Sequence, residues 1–123
     1  MASYIFETRI PILGVCYGMQ LIAEIFGGEL VRSEHREYGH SQLTLKRTSR
    51  LFRGVSPTGT VWMSHGDTIR NLPPGYQATA STESVALAAM EDAEGMIFGV
   101  QFHPEVHHTI EGNKILGNFL YDI

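Results

Sequence analysis

A lone cysteine between two glycines marks the point where the apolar pattern of this chain changes period: Gly14-Val15-Cys16-Tyr17-Gly18. Before it, Pro11 breaks the chain and Ile12-Leu13-Gly14-Val15 forms a short apolar run, the pattern of a buried parallel strand. After it, Leu21, Ile22, Ile25 and Phe26 recur at helical spacing until Gly27-Gly28 supplies a stop. A strand, a one-residue hinge and a helix constrain the chain to an α/β fold. The same five residues have the form G-x-nucleophile-x-G, in which a tight turn pushes the central side chain outward. Gly14 and Gly18 are expected because neighbouring backbone leaves no room for a Cβ. A cysteine at a helix N-terminus is expected to have a lowered pKa. The first amide of that helix can also donate to an oxyanion.

Elsewhere the expected strands are short: residues 42–47, with Leu43 and Leu45 on one face, then 60–63 and 76–79. Residues 85–90 and 96–102 flank Asp92-Ala93-Glu94-Gly95, a hairpin turn. The chain closes on an amphipathic helix, capped by Thr109 and with Glu111 in its first turn. Its inward stripe is Ile115, Leu116, Phe119, Leu120 and Ile123. Tyr4, Ile5 and Phe6 read as part of a further helix. The residues therefore predict one α/β domain with an antiparallel portion in its second half.

Composition removes several function classes. The chain has 123 residues, 43% of them apolar, enough for a core and against disorder. A balance of 9 Lys+Arg against 13 Asp+Glu lacks the basic stripe that binds nucleic acid. The sequence shows neither an apolar run of membrane-spanning length nor a signal-peptide order, so the reading is cytoplasmic, with no membrane partner. One cysteine cannot form an internal disulfide, which suits a reducing compartment and leaves a free thiol to explain.

A thiolate nucleophile needs a proton-transfer partner, usually histidine. Among six histidines, His103 in Phe102-His103-Pro104-Glu105 falls just past an expected strand end, where functional groups gather in parallel sheets. Pro104 keeps His103 out of the helical region, and in extended chain Glu105 projects to the same side as His103. Cys16, His103 and Glu105 thus read as nucleophile, base and orienter. His103, His107, His108 and Glu105 can also be read as metal ligands. No cysteine or H-E-x-x-H spacing supports that, and the adjacent His107 and His108 are expected to diverge, so no metal is expected.

These residues resemble a known family. Pro11-Ile12-Leu13-Gly14-Val15-Cys16-Tyr17-Gly18-Met19-Gln20 with Gly99-Val100-Gln101-Phe102-His103-Pro104-Glu105-Val106 resembles the class I glutamine amidotransferases. Further segments resemble the amidotransferase domains of GMP synthases in particular. They are His35-Arg36-Glu37-Tyr38-Gly39, Val61-Trp62-Met63-Ser64-His65-Gly66-Asp67, Ala80-Ser81-Thr82-Glu83, and the ending from His108-Thr109 to Asn118-Phe119-Leu120. The resemblance implies a three-layer, mostly parallel, flavodoxin-like sheet. It implies that Cys16 attacks L-glutamine and forms a thioester that water resolves to glutamate, with release of ammonia. That ammonia would aminate XMP to GMP in purine biosynthesis. Tyr17, Gly18 and Gln20 would contact the glutamine, and a loop of Ser64, His65, Gly66 and Asp67 would hold its amino-acid end. Residues 35–39 would form a loop near the site. No cofactor is implied for this domain; ATP and Mg would belong to an ATP-dependent synthetase domain or subunit, the implied partner.

The resemblance also implies that part of the family's domain lies outside residues 1–123. In the family a first strand, helix and strand lead to a Gly-Gly-Pro loop whose N–H completes the oxyanion hole, and this chain starts after it. One lost oxyanion donor costs on the order of 10²–10³ in rate, so the piece alone is expected to be slow. The incomplete sheet is expected to associate with itself or a partner. Two alternatives remain at this point: a truncated, non-catalytic binding module, or another cysteine hydrolase acting on γ-glutamyl substrates.

Overall fold

The computed structural model describes residues 10–83 and 85–123, and for residues 32–38 and 65–66 the backbone alone. The helix expected around Tyr4, Ile5 and Phe6 lies outside the described residues. Strand β1 (Ile12–Val15) runs into helix α1 (Tyr17–Ile25) through Cys16, as the change of period predicts. Strands β2 (Glu29–Leu45), β3 (Thr58–Asn71), β4 (Tyr76–Ser81), β5 (Ala89–Asp92) and β6 (Ile97–Val100) follow. Helix α2 (Gly112–Gly117) then widens into a π-helical turn over Asn118–Asp122.

The six strands form one sheet in the order β1-β6-β5-β4-β2-β3. Only β1–β6 pairs in parallel among the described residues; β6–β5, β5–β4, β4–β2 and β2–β3 are antiparallel. The α/β class, the parallel strand at the elbow and the antiparallel second half agree with expectation. The parallel share is smaller than a mostly parallel sheet would have. The reason is connection length: β2 to β6 follow one another through turns and loops, whereas a parallel pair needs a long crossover.

Strand parity builds two cores, one on each face. Leu13, Phe98, Val100, Ala89, Leu43, Val61 and Met63 face the side that Ile115 and Phe119 cover. Ile12, Ile97, Met90 and Ile69 face α1, through Met19, Ile22 and Ala23. Helix, sheet and helix therefore stack as three layers. Gly99 lies under α1, where a Cβ would come within 2.7 Å of Met19 Cγ.

Helix α1 ends as predicted. Gly27 adopts φ 95°, its N–H meets Glu24 O, and Gly28 N–H meets Ala23 O at 2.7 Å, a Schellman stop. The buried face is Met19, Gln20, Ile22 and Ala23, so Ile25, expected inward, is exposed. The turn at residues 92–95 also forms. Asp92 Oδ1 accepts from the N–H groups of Met96 and Ile97, and Gly95 has φ 69°.

Three expectations are corrected. Residues 35–39 and 64–67, expected as loops, lie within β2 and β3, which pair as a long two-stranded ribbon. Backbone hydrogen bonds sustain it where side-chain alternation gives no strand signal. The register jumps from Arg32↔Asp67 to Glu37↔His65, so residues 33–36 stand opposite Gly66 alone. Secondly, Leu120 is 67% exposed, because the π-helical turn rotates the stripe and turns Asn118 inward. Asn118 Nδ2 is satisfied there by the carbonyls of Leu51 and Arg53, each at 2.8 Å. Thirdly, Thr109 does not cap α2, whose N-cap position is Glu111.

Candidate active site

Cys16 is the one non-glycine residue with positive φ among those described, at φ 55° and ψ −107°. Such a conformation costs of order 1–3 kcal/mol and persists only where surroundings hold it. The Cys16 N–H is fixed on Val100 O of β6 at 2.8 Å, and its carbonyl accepts the Gln20 N–H at 3.2 Å. The predicted need for glycine holds at Gly14, where a Cβ would come within 2.7 Å of the Gly18 carbonyl carbon and 2.6 Å of Ile22 Cδ1. It does not hold at Gly18, where a Cβ would meet nothing within 4 Å.

Cys16 is 2% exposed, and its sulfur sits at a meeting point of three strands. Sγ donates to Ser64 O of β3 at 3.3 Å, and Gln101 Nε2, just past β6, donates to Sγ at 3.6 Å. Burial pushes the thiol above its usual 9.0, opposed by the Tyr17 N–H and the Gln101 amide, with nearby Glu105 raising it further. The lowering expected from the helix N-terminus is therefore overridden. A helix end is worth about 0.3–1 kcal/mol, less than the penalty of ionising a group out of water.

His103 and Glu105 come together as predicted: Nδ1 lies 3.0 Å from Glu105 Oε2. That contact leaves Nε2 free of the carboxylate and able to exchange a proton. The segment carrying His103 is laced to the outer edge of β3. His103 N–H donates to Trp62 O at 3.0 Å, and Ile110 N–H to Thr60 O at 3.0 Å. Thr109 Oγ1 closes the lacing, accepting from Trp62 N–H at 2.9 Å and donating to His103 O at 2.6 Å. At the start of α2, a Cβ on Gly112 would collide with Pro104 O, so this glycine is what lets the segment sit so close. The Sγ hydrogen points at Ser64 O, and no hydrogen bond joins Sγ to His103 among the described residues.

Gln20, expected to contact substrate, is 5% exposed. Its Nε2 donates to Asp67 O at 2.8 Å and to Gln101 Oε1 at 3.2 Å. Tyr17 is 69% exposed beside the elbow. Ser64 and Asp67 reach the site through their carbonyls. The side chain of His65 lies outside the described ones, and Gly66 is placed only by the β2–β3 register. Sequence reasoning missed Gln101 and the Thr109 clamp. Strand parity could have found Gln101, which shares the α1 face with Ile97 and Gly99.

His107 and His108 do not diverge. Their ring centroids lie 4.1 Å apart, and His108 stacks at 4.6 Å on Trp62, with His40 edge-on to both Trp62 and His108. Among the described residues no group of three or more His, Cys, Asp or Glu could hold a metal ion. No helix among them is long and apolar enough to cross a membrane.

The family model for glutamine amidotransferase class-I matches residues 1–123. The chain belongs to that family. It is 49% identical over 119 residues to "GMP synthase [glutamine-hydrolyzing]" of Acetivibrio thermocellus, covering 97% of this chain and 23% of the relative. The protein of the same name from Carboxydothermus hydrogenoformans is 50% identical with the same coverage. The chain thus spans about a quarter of the length of these relatives. Among solved structures, a GMP synthase subunit from Thermoplasma acidophilum superposes with a TM-score of 0.90 at 37% identity, covering 95% of this chain and 59% of that one. A glutamine amidotransferase of Thermotoga maritima gives 0.76 at 27% identity, with 96% and 50% covered.

Proposed function

We propose that this amidotransferase hydrolyses glutamine with Cys16 as nucleophile, and that its ammonia serves a GMP synthase. The observation that carries the reading is the elbow, a cysteine held at φ 55° at the start of α1. Cys16 gives its proton to His103 and attacks the carboxamide carbon. The Tyr17 N–H is the donor at hand for the resulting oxyanion. His103 returns the proton to the leaving nitrogen, ammonia departs, and the γ-glutamyl group remains as a thioester on Sγ. Water, deprotonated by His103, then releases glutamate and regenerates the thiol. Glu105 holds the imidazole in the tautomer with Nε2 available. Gln20 meets the substrate through Oε1, with Tyr17, Gly18 and residues 64–67 around it.

The names of the relatives support GMP synthesis as the destination of the ammonia. The partner in this reading is an ATP-dependent synthetase domain or subunit that aminates XMP. ATP and Mg act there, and the glutaminase half needs no cofactor. The reaction is placed in the cytoplasm, where a lone thiol stays reduced.

The test is incubation with diazo-oxonorleucine, followed by mass spectrometry. One adduct on Cys16 is expected, abolished by Cys16→Ala and protected by glutamine. Absence of the adduct in the folded chain favours a binding module, and cleavage of γ-glutamyl peptides in preference to glutamine favours a different hydrolase.

A further inference from the structure

Gln101 is the residue whose burial the proposed mechanism does not yet use. It is 0% exposed at the end of β6, a position where Met or Leu would pack without leaving a polar group to satisfy. Burying an amide is unfavourable unless its donors and acceptor are met. Its backbone N–H is fixed on Ala88 O at 2.8 Å. Its Oε1 accepts from Gln20 Nε2 at 3.2 Å, while Gln20 is itself anchored on Asp67 O at 2.8 Å. With Oε1 facing a donor, the Nε2 end of Gln101 faces the nucleophile, 3.6 Å from Sγ. Two amides in series therefore connect the β3 backbone to the sulfur.

The electrostatics of ionisation give this arrangement a purpose. In the thiol form the sulfur donates to Ser64 O. Once the proton leaves, that carbonyl faces a negative sulfur with nothing between them. Glu105 adds a like charge nearby. Two donors oppose these: the Tyr17 N–H and the Gln101 amide.

We propose that Gln101 is a catalytic residue of this amidotransferase, whose Nε2–H holds the Cys16 sulfur as the thiolate forms, and that Gln20 is the positioning residue that keeps this amide aimed. The assignment rests on the reading of Cys16 as the nucleophile. It gives Gln20 a second task beyond meeting substrate and makes the pair a unit.

The chain has one cysteine, so alkylation by iodoacetamide reports on Cys16 alone. The rate is measured against pH for the chain itself and for Gln101→Met, Gln101→Glu and Gln20→Met. A hydrogen bond to a charged group supports about tenfold slower alkylation in Gln101→Met at pH values below the thiol's ionisation, with the profile displaced to higher pH. Gln101→Glu, which keeps an acceptor for Gln20 but turns a carboxylate toward the sulfur, is slower still. Gln20→Met falls between the chain itself and Gln101→Met. Unchanged profiles in Gln101→Met and Gln101→Glu, with native circular dichroism, overturn the proposal. If Gln101→Met fails to fold, Gln101→Glu decides by the same criterion; failure of both to fold makes Gln101 structural and also overturns it. Absence of diazo-oxonorleucine labelling in the unsubstituted chain speaks against glutamine as substrate and leaves the alkylation comparison standing.

Discussion

Thr109→Val removes one hydroxyl and keeps the shape of the side chain. Thr109 is 4% exposed, so its Oγ1 partners are shielded from water. The substitution strips the acceptor from Trp62 N–H, now held at 2.9 Å, and the donor from His103 O, at 2.6 Å. Each buried group left without a partner costs about 1–3 kcal/mol, so the two together cost the chain about 2–6 kcal/mol of stability. The catalytic effect is separate. The remaining bonds, His103 N–H to Trp62 O and Ile110 N–H to Thr60 O, still hold the segment at β3 but no longer fix its carbonyl side. A misplacement of about 1 Å at a reacting group costs about 10²-fold in rate, which sets the scale for labelling by diazo-oxonorleucine. Thr109→Ser keeps both hydrogen bonds and loses one methyl, for about 1 kcal/mol, with labelling close to that of the parent. Urea denaturation reads the first quantity and mass-resolved labelling the second. Equal midpoints and equal labelling rates for the Val and Ser variants would refute the clamp.

Gly112→Ala drives a Cβ into Pro104 O; labelling is expected to fall on the order of 10²-fold and stability by about 1–3 kcal/mol, measured as above. Without glutamine, burial holds the Cys16 thiol above 9.0, so its alkylation rate is expected to keep climbing past that pH, and a plateau at neutral pH contradicts the reading. Tyr76 is pushed by burial, with Asp92 adding to it, from 10.0 to about 12. Its neutral form is favoured in the folded state, so this contribution is intact below pH 10 and is lost as pH rises from 10 toward 12. Tyr76→Phe is expected to flatten the alkaline fall in urea midpoint across that window.

Short-range features were legible because their causes are local. The strand–cysteine–helix hinge, the Gly27 stop and the turn at residues 92–95 are each specified by adjacent residues. The β2–β3 ribbon was not, since backbone pairing makes Glu29–Leu45 and Thr58–Asn71 extended despite weak alternation. The site divides along the same line. Cys16, His103 and Glu105 carry chemistry in their identities, and the chain brings His103 and Glu105 together over two residues. Thr109 read as a cap because hydroxyls before helices usually cap; its real partners lie 47 and 6 residues away.

The disagreement over the Cys16 thiol says the most about how the site works. Reading the helix N-terminus alone predicts an activated thiolate, yet the same hinge that points the cysteine at α1 also sinks its sulfur beneath Ser64. Burial in the free protein favours the neutral thiol, which resists oxidation and adventitious alkylation. Ionisation then has to be coupled to a proton acceptor and a compensating donor; in the proposed mechanism these are His103, held by Glu105, and Gln101, whose Nε2 lies 3.6 Å from Sγ. A nucleophile kept neutral until its surroundings are complete is a different device from one kept permanently charged. The pH profiles of the Gln101 variants distinguish the two.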